Sequence, residues 1–158
     1  MSGEQWDVDA VLAEVGFDEE ASSLTRRQAE VLALRERGAS QAAIADLLGT
    51  SRANVSGVES SARRNVERAR ETVAFAEALS APVRVPVEPG TDVFDLPGRV
   101  YEACDDAGVK VGHSGAELVR LASEAAPDAL EDGTVVAPLL VSVAADGEVR
   151  VRGRADEE

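Results

Sequence analysis

The sequence predicts an α+β protein, in which an all-α helix-turn-helix domain with a long third helix precedes a small α+β domain. Three observations lead to this class. Residues 24–49 hold two short helical segments, each with a capping residue before it and a glycine after it. Residues 51–79 contain no proline and carry one apolar stripe at helical spacing. After Pro82, alternating valines begin a second kind of composition.

The N-terminal segment is acidic. Apolar residues recur at loose helical spacing over residues 6–15, and Gly16 is placed to end a helix. Residues 1–22 carry seven acidic residues and no basic one. We therefore expect residues 1–22 to form an acidic N-terminal arm with a possible short helix. That segment either packs on the domain or stays a mobile charged arm.

The next two helices are marked by their caps. Thr25 and Gln28 have the types and spacing of a capping box, and Ser40 is placed to cap the following helix. The interval 49–51 is too short for anything but a turn between two crossed helices. The sequence therefore predicts a helix-turn-helix DNA-binding domain with an extended helix over residues 23–80.

The third helix of this domain is longer than a helix-turn-helix core requires. Such a core covers only about three turns, so the stripe from Val66 onward must be buried elsewhere. We expect the extended helix to join two copies of the chain as a homodimer. The alternative is that the C-terminal domain folds back over it after Pro82. The stripe consists of Val55, Val58, Ala62, Val66, Ala69, Val73 and Ala76.

The side opposite the stripe is the candidate DNA-binding face. Small side chains let a helix lie deep in the major groove, serine hydroxyls can contact bases or phosphates, and Asn54 can read adenine if it points inward. Arginines suit phosphate contacts. The candidate residues are Arg52, Ala53, Asn54, Ser56, Gly57, Ser60, Arg63, Arg64 and Arg68.

Two features of this face leave alternatives open. Gly57 lowers helix stability by roughly 0.5–1 kcal/mol relative to alanine, so we expect a close neighbour to explain it. The arginines can instead pair along the helix, as Arg63 can with Glu67. The whole face can also pack on a helix of another protein.

The second half of the chain predicts a small α+β domain over residues 81–152, with a regulatory or assembly role and a possible unknown small effector. An acidic tail over residues 153–158 follows it. The expected order is strand, helix, strand, helix and hairpin. These elements are placed at 83–87, 93–104, 109–111, 116–125, and 135–143 with 149–151.

The net charge of −14 is divided unevenly. Residues 1–22 contribute −7, residues 23–79 contribute +2 from nine arginines against seven acids, and residues 80–158 contribute −9 from seven bases against sixteen acids. Positive charge thus gathers where DNA binding is expected. Fifteen arginines against one lysine, on a very acidic chain, favour a cytoplasm kept at high salt, that of a halophile. A single cysteine and the lack of a long apolar run also favour a cytoplasmic protein without a membrane span.

Enzyme chemistry is not expected. His113 is the only histidine, which excludes a multi-histidine metal site, and we expect no cofactor. The step 111–116 joins a predicted strand to a helix N-terminus, where an anion could bind, although an ordinary tight turn is the stronger interpretation. Cys104 stands at helical spacing among apolar residues and is expected to be buried and inert.

Two blocks of sequence carry a family resemblance. Residues 24–35, with Gly38 and Ile44-Ala45 after them, resemble the helix-turn-helix shared by LuxR-type regulators and the promoter-reading region of sigma factors. Residues 48–56 and parts of 81–111 are similar to the archaeal Tfx family of DNA-binding transcription regulators. The resemblance covers about residues 23–152. Its further matching residues are Glu59, Ala62, Asn65, Val66, Ala69-Arg70, Ala81-Pro82-Val83, Gly90-Thr91-Asp92-Val93, Pro97, Val100-Tyr101 and Gly108-Val109-Lys110-Val111.

Together these features predict a sequence-specific transcription regulator of double-stranded DNA. Its recognition helix, at about residues 52–64, would lie in the major groove, and the family resemblance implies binding near promoters. The alternative is an acidic protein–protein interaction module that uses the same helix face for a protein partner.

Overall fold

A computed structural model of the chain describes residues 6–154. It divides into two compact units, Met1–Thr72 and Val73–Glu158, whose boundary falls inside one long helix. Residues 1–5 of the expected arm and residues 155–158 of the expected tail lie outside the described residues. In the described part of the chain, no helix combines the length and apolar character that crossing a membrane requires.

The first unit is helical. Helix α1 covers Val8–Glu14, α2 covers Arg26–Glu36, α3 covers Gln41–Leu48, and α4 covers Arg52–Ser80. The capping box before α2 is confirmed, since Thr25 Oγ1 accepts from Gln28 N at 3.2 Å and Gln28 Oε1 accepts from Thr25 N at 3.1 Å. Caps of this kind satisfy backbone N–H groups that have no partner within the helix.

Helix α1 packs against α2. Val11 and Leu12 are buried between them, and Glu14 pairs with Arg37 at 2.6 Å. Asp9 also pairs with Arg26. Residues 8–14 therefore form a packed helix, as one of the two interpretations of the acidic segment expected. The unit's buried core consists of Val31, Leu34, Ala39, Ile44, Ala45 and Val55.

The second unit is a small α+β structure. Strands β1 (Val83–Val87), β4 (Leu139–Val143) and β5 (Val149–Gly153) form an antiparallel sheet in the order β1-β4-β5. Helices α5 (Leu96–Ala107) and α6 (Gly115–Ala125) pack against β1 and β5 respectively. The remaining elements are two single 3₁₀ turns at Val93–Asp95 and Pro127–Ala129, and the short paired strands β2 (Leu130–Glu131) and β3 (Thr134–Val135). The α+β class is confirmed.

The sheet has one apolar face and one mixed face, as strand alternation requires. Val83, Val85 and Val87 of β1 are buried, and they stand opposite buried residues of β4. The other face carries Arg84, which pairs in register with Ser142, which in turn pairs with Arg150. The apolar face packs on α5 and α6, and on the other face Arg150 pairs with Glu77 of α4.

Two expected strands differ in the structure. Residues 109–111 are not in a strand, because no strand lies beside them; the nearby backbone contact is Gly112 N to Gly147 O at 3.2 Å. Val109 and Val111 instead pack as partly buried side chains against the core. The expected strand 135–143 is divided into β3 and β4, and Pro138, which has no N–H to donate to a ladder, lies between them.

Candidate nucleic-acid interface

A three-residue turn joins α3 to α4. Gly49 ends α3 with φ of 65°, a backbone conformation that glycine adopts without strain. Thr50 N donates to Ala45 O at 2.9 Å, which closes the end of α3. Ser51 Oγ accepts from Asn54 N at 3.1 Å and so caps the start of α4. The expected turn over residues 49–51 is therefore present, and it fixes where α4 begins.

Helix α4 has opposite buried and exposed faces over its first four turns. Val55 and Ala62 are at most 1% exposed and face the core. On the other side, five candidate residues fall within about 80° of one another at 100° per residue, and all are exposed. They are Ala53, Gly57, Ser60, Arg64 and Arg68. We call this set the open face of α4.

The other candidate residues lie on either side of the open face. Arg52 and Arg63 are exposed on one flank, and Ser56 is half-buried beside it. Asn54 lies on the other flank, where its Nδ2 donates to Thr50 Oγ1 at 2.9 Å. Asn54 therefore holds the turn in this conformation through one N–H of its amide, which leaves the second N–H and Oδ1 for a further contact.

The Cβ position of Gly57 is open space in the part of the chain that the structure describes. A Cβ atom built on Gly57 meets no atom within 4 Å. The expectation that a close neighbour explains this glycine is therefore wrong for contacts within the described chain. The site is open space on a helix surface, at a position where alanine would favour the helix by roughly 0.5–1 kcal/mol.

A buried carboxylate fixes α4 on the helices beneath it. Glu59 is 7% exposed, and its oxygens accept from Arg35 Nε and Gln41 Nε2, both at 3.1 Å. Arg63 Nη2 also donates to it at 3.1 Å. Burial alone would raise the pKa of Glu59, but the hydrogen bonds from Gln41, Arg63 and Arg35 outweigh it and hold this pKa below its ordinary value.

The arginines of the site therefore differ in whether an ion pair already holds the side chain. Arg63 pairs with Glu59, four residues earlier, and not with Glu67, which pairs with Arg70 at 2.7 Å. Among the described residues, the one hydrogen bond of the Arg64 side chain is a long one of 3.5 Å to Ser61 Oγ. Arg64 can accordingly turn toward a phosphate without leaving an ion pair, whereas Arg63 Nε and Nη2 are held by Glu59.

A groove beside the open face includes a residue that the sequence reasoning missed. Its volume is about 350 Å³, and it lies between the start of α2 and the start of α4. Arg27 lines it, with a side chain that is 51% exposed and paired with Glu30 at 3.1 Å. The sequence signal that could have found Arg27 is the Arg26-Arg27 pair directly after the capping residue Thr25. The lining residues are Thr25, Arg27, Gln28, Ala53, Asn54, Gly57, Val58 and Ser61.

The other groups that the sequence offered for chemistry are either already hydrogen-bonded or buried. At the start of α6, Glu117 Oε2 accepts from Ser114 N at 2.7 Å and from Ser114 Oγ at 2.9 Å. These two hydrogen bonds lower the pKa of Glu117, and its carboxylate takes the place of an external anion. Cys104 is 1% exposed, and burial, with the nearby charge of Asp105, raises the pKa of its thiol.

Comparison with known proteins places the chain in a family. Residues 69–151 match the family model described as "DNA_binding protein, TFX, C-term". A Haloarcula marismortui protein named "Putative transcriptional regulatory protein" is 54% identical over 154 residues, which are 98% of this chain and 97% of that protein. The chain belongs to the Tfx family.

Other relatives of this Tfx-family chain are more distant archaeal proteins. "DNA-binding protein Tfx" of Methanothermobacter thermautotrophicus is 37% identical over 128 residues, covering 81% of this chain and 93% of that protein. A "Putative transcriptional regulatory protein" of Methanocaldococcus jannaschii is 37% identical over 134 residues, covering 85% and 98%. The Tfx family is one of DNA-binding transcription regulators, which confirms the family resemblance of the sequence.

Proposed function

We propose that this Tfx-family protein is a sequence-specific transcription regulator that inserts α4 into the DNA major groove. Helices α3 and α4, with the turn between them, would act as a helix-turn-helix, and residues 52–64 would form the recognition segment. The base contacts would come from the open face of α4, and the phosphate contacts from arginines around it.

The observation that carries this proposal is Gly57. A glycine in the middle of a helix destabilises it, and here no group of residues 6–154 fills the space that the glycine leaves. With Ala53 and Ser60 on the same face, Gly57 forms a shallow strip that a binding partner can approach closely. The edge of a base pair is such a partner. Side chains longer than alanine or serine at these positions would hold the helix away from the base edges.

The charges support a DNA partner. Arg52, Arg64 and Arg68 are exposed around the strip, within a chain whose net charge is −14. A local excess of arginine in an otherwise acidic protein directs a polyanion to one surface and repels it from the rest. Arg27, across the groove, adds a further positive charge beside the same strip.

A homodimer would fit the second half of α4. The large apolar residues of this segment, Val73, Phe75 and Leu79, are 56%, 57% and 63% exposed, and at 100° per residue they spread over about 160° of the helix surface. Pairing two such helices would bury part of this exposed apolar surface. A two-fold dimer would place two recognition helices about one DNA turn apart, roughly 34 Å.

The alternative partner for the open face is a protein helix, since small residues also permit close helix packing. The two proposals differ in salt dependence. DNA binding must weaken steeply as salt rises, because counterions are released from phosphates, whereas contact through small uncharged residues has no such requirement.

Two matched glycine variants test the proposal. Gly57→Leu and Gly98→Leu both replace an exposed helical glycine whose Cβ position meets no atom within 4 Å. Both should keep the fold. Only Gly57→Leu should abolish sequence-selective gel-shift complexes with genomic DNA fragments. Selective binding by Gly57→Leu equal to that of Gly98→Leu would overturn the assignment of the open face to the major groove.

A further inference from the structure

A groove lies between the start of α2 and the start of α4, beside the open face. Its volume of about 350 Å³ is within the range for pockets that hold small ligands. Ala53 and Gly57 belong both to the open face and to the wall of this groove, so a partner that rests on the open face also borders the groove. We call it the α2–α4 groove. Its lining residues are Thr25, Arg27, Gln28, Ala53, Asn54, Gly57, Val58 and Ser61.

The wall of the α2–α4 groove favours an anion. No described residue that lines it is acidic, although Asp and Glu make up 30 of the 158 residues of the chain. The charge on the wall is the guanidinium of Arg27, whose side chain is 51% exposed and whose Nη1 pairs with Glu30 at 3.1 Å. Glu30 has a second partner in Arg26, at 3.3 Å. Arg27 can therefore turn toward an anion in the groove without leaving Glu30 unpaired.

Two hydrogen bonds fix which way the amide of Gln28 is turned. Gln28 Oε1 accepts from Thr25 N and from Asn65 Nδ2, both at 3.1 Å. Because Thr25 N is a backbone donor, the atom that it contacts must be the amide oxygen. Gln28 Nε2 has no hydrogen-bond partner among the described residues, and it is not one of their buried atoms without a partner. Its two N–H groups are therefore accessible to a ligand.

These donors suit a backbone phosphate of DNA. Phosphate oxygens accept hydrogen bonds from arginine, glutamine and threonine side chains, and such contacts supply at least half of the hydrogen bonds between proteins and DNA. A helix that lies in the major groove with one face toward the bases has its flanks toward the two sugar–phosphate backbones. The α2–α4 groove borders one flank of the open face, where a backbone would pass.

We propose that the α2–α4 groove holds one phosphate of the DNA backbone, whose oxygens accept hydrogen bonds from Gln28 Nε2 and from the guanidinium of Arg27. This inference rests on the proposed function and adds to it a contact made by α2, outside the recognition helix. Asn65 belongs to α4, and its hydrogen bond joins that helix to Gln28 across 37 residues of sequence. Because phosphate contacts fix the position of a protein on the duplex, this contact sets how α4 lies in the major groove.

Neutral phosphates placed one at a time test this contact. The probe is a duplex with the motif that the full-length wild-type protein selects from random DNA, in which a methylphosphonate replaces a single phosphate at each position in turn. A methylphosphonate has no negative charge, so a hydrogen bond to it lacks the strength of one to a phosphate. At the position that lies in the α2–α4 groove, the replacement should weaken wild-type binding about tenfold.

Gln28→Glu and Arg27→Ala remove the two proposed donors. Glutamate keeps an oxygen that accepts from Thr25 N and Asn65 Nδ2, and it is itself a capping-box residue, so the fold should be kept. It also replaces the two N–H donors by a carboxylate oxygen. Each variant should bind the unmodified duplex about tenfold more weakly than wild type.

The two variants should also couple to one methylphosphonate position. At the position where the wild type loses about tenfold in affinity, Gln28→Glu and Arg27→Ala should lose nothing further, because the contact is already absent. At every other position, the variants and the wild type should lose affinity equally. Arg37→Ala is the matched control, since Arg37 is a surface arginine that pairs with Glu14 at the other end of α2, and it should behave as wild type.

Thermal unfolding shows whether each variant keeps the fold. If Gln28→Glu is less stable than wild type, the coupling of Arg27→Ala, which changes an exposed side chain, decides alone. With stable variants, the proposal is overturned if no position couples to both of them, or if the same position couples to Arg37→Ala. A wild-type protein that selects no motif would refute the proposed function and this contact with it, whereas selective binding without the coupling would refute this contact alone.

Discussion

Glu59→Gln should destabilise the helical unit, because Glu59 joins α4 to α2 and α3. The buried carboxylate accepts charged hydrogen bonds from Arg35 and Arg63 and a neutral one from Gln41, each at 3.1 Å. A glutamine keeps one acceptor oxygen and turns an NH₂ group toward cationic donors. Charged hydrogen bonds contribute about 1.5–3 kcal/mol each when one partner is buried.

Solvent reduces this figure. The side chains of Arg35 and Arg63 are 35% and 55% exposed, so water can replace part of what each loses. We therefore expect the free energy of unfolding to fall by about 2 kcal/mol. Urea unfolding followed by the fluorescence of Trp6 measures it, because Trp6 is the only tryptophan and packs on the core of this unit.

The effect should depend on pH with a definite sign. The pKa of Glu59 in the folded protein lies below its ordinary value of 4.5, so its contribution is complete above that pH. It is lost as the pH falls through the folded-state pKa. The gap in unfolding free energy between wild type and Glu59→Gln should therefore be constant near neutral pH and shrink below about pH 4.5.

Glu67→Gln is the matched control for this experiment. Glu67 lies on the same helix and also pairs with an arginine, Arg70, but its side chain is 69% exposed. Exposed pairs of this kind contribute little to stability. Equal unfolding free energies for the Glu59 and Glu67 variants would refute the argument that the buried carboxylate holds α4 in place.

Two further predictions concern the proposed function. Arg64→Ala should weaken binding to all DNA sequences alike and lower the slope of log affinity against log salt by about one unit, whereas Arg120→Ala on α6 should do neither. Replacing Val73 and Leu79 together by Asp should halve the mass measured by light scattering, because both are more than half exposed on the proposed dimer helix; Val136→Asp, also exposed, should leave the mass unchanged.

The salt dependence and the measured mass can each contradict these predictions. An unchanged salt slope in Arg64→Ala would remove that arginine from the DNA contacts. A wild-type mass equal to that of the double variant would mean that Val73 and Leu79 do not join two copies.

Local signals in the sequence predicted the elements well. The capping box at Thr25 and Gln28 and the glycine at position 49 act within a few residues, and the structure has them where the sequence placed them. The predicted strand at 109–111 was wrong because a strand does not depend on local signals alone. Alternating valines form a strand only where another strand lies beside them, and which segments lie side by side depends on the tertiary structure.

The candidate site was predicted in part. Helical spacing alone placed Ala53, Ser56, Gly57, Ser60 and Arg64 on one side of α4, and all of them except the half-buried Ser56 are exposed. Sequence spacing could not reveal contacts between helices. The hydrogen bond from Arg35 to Glu59 spans 24 residues of sequence, and the groove between α2 and α4 places Arg27 near a glycine 30 residues away.

Selection of bound sequences from random double-stranded DNA tests the central claim most directly. The full-length protein should enrich one near-palindromic motif, with half-sites about one helical turn apart, at a salt concentration where non-specific binding is weak. Gly98→Leu should enrich the same motif and Gly57→Leu none. Failure of the wild-type protein to enrich any motif, or equal enrichment by Gly57→Leu, would contradict the account.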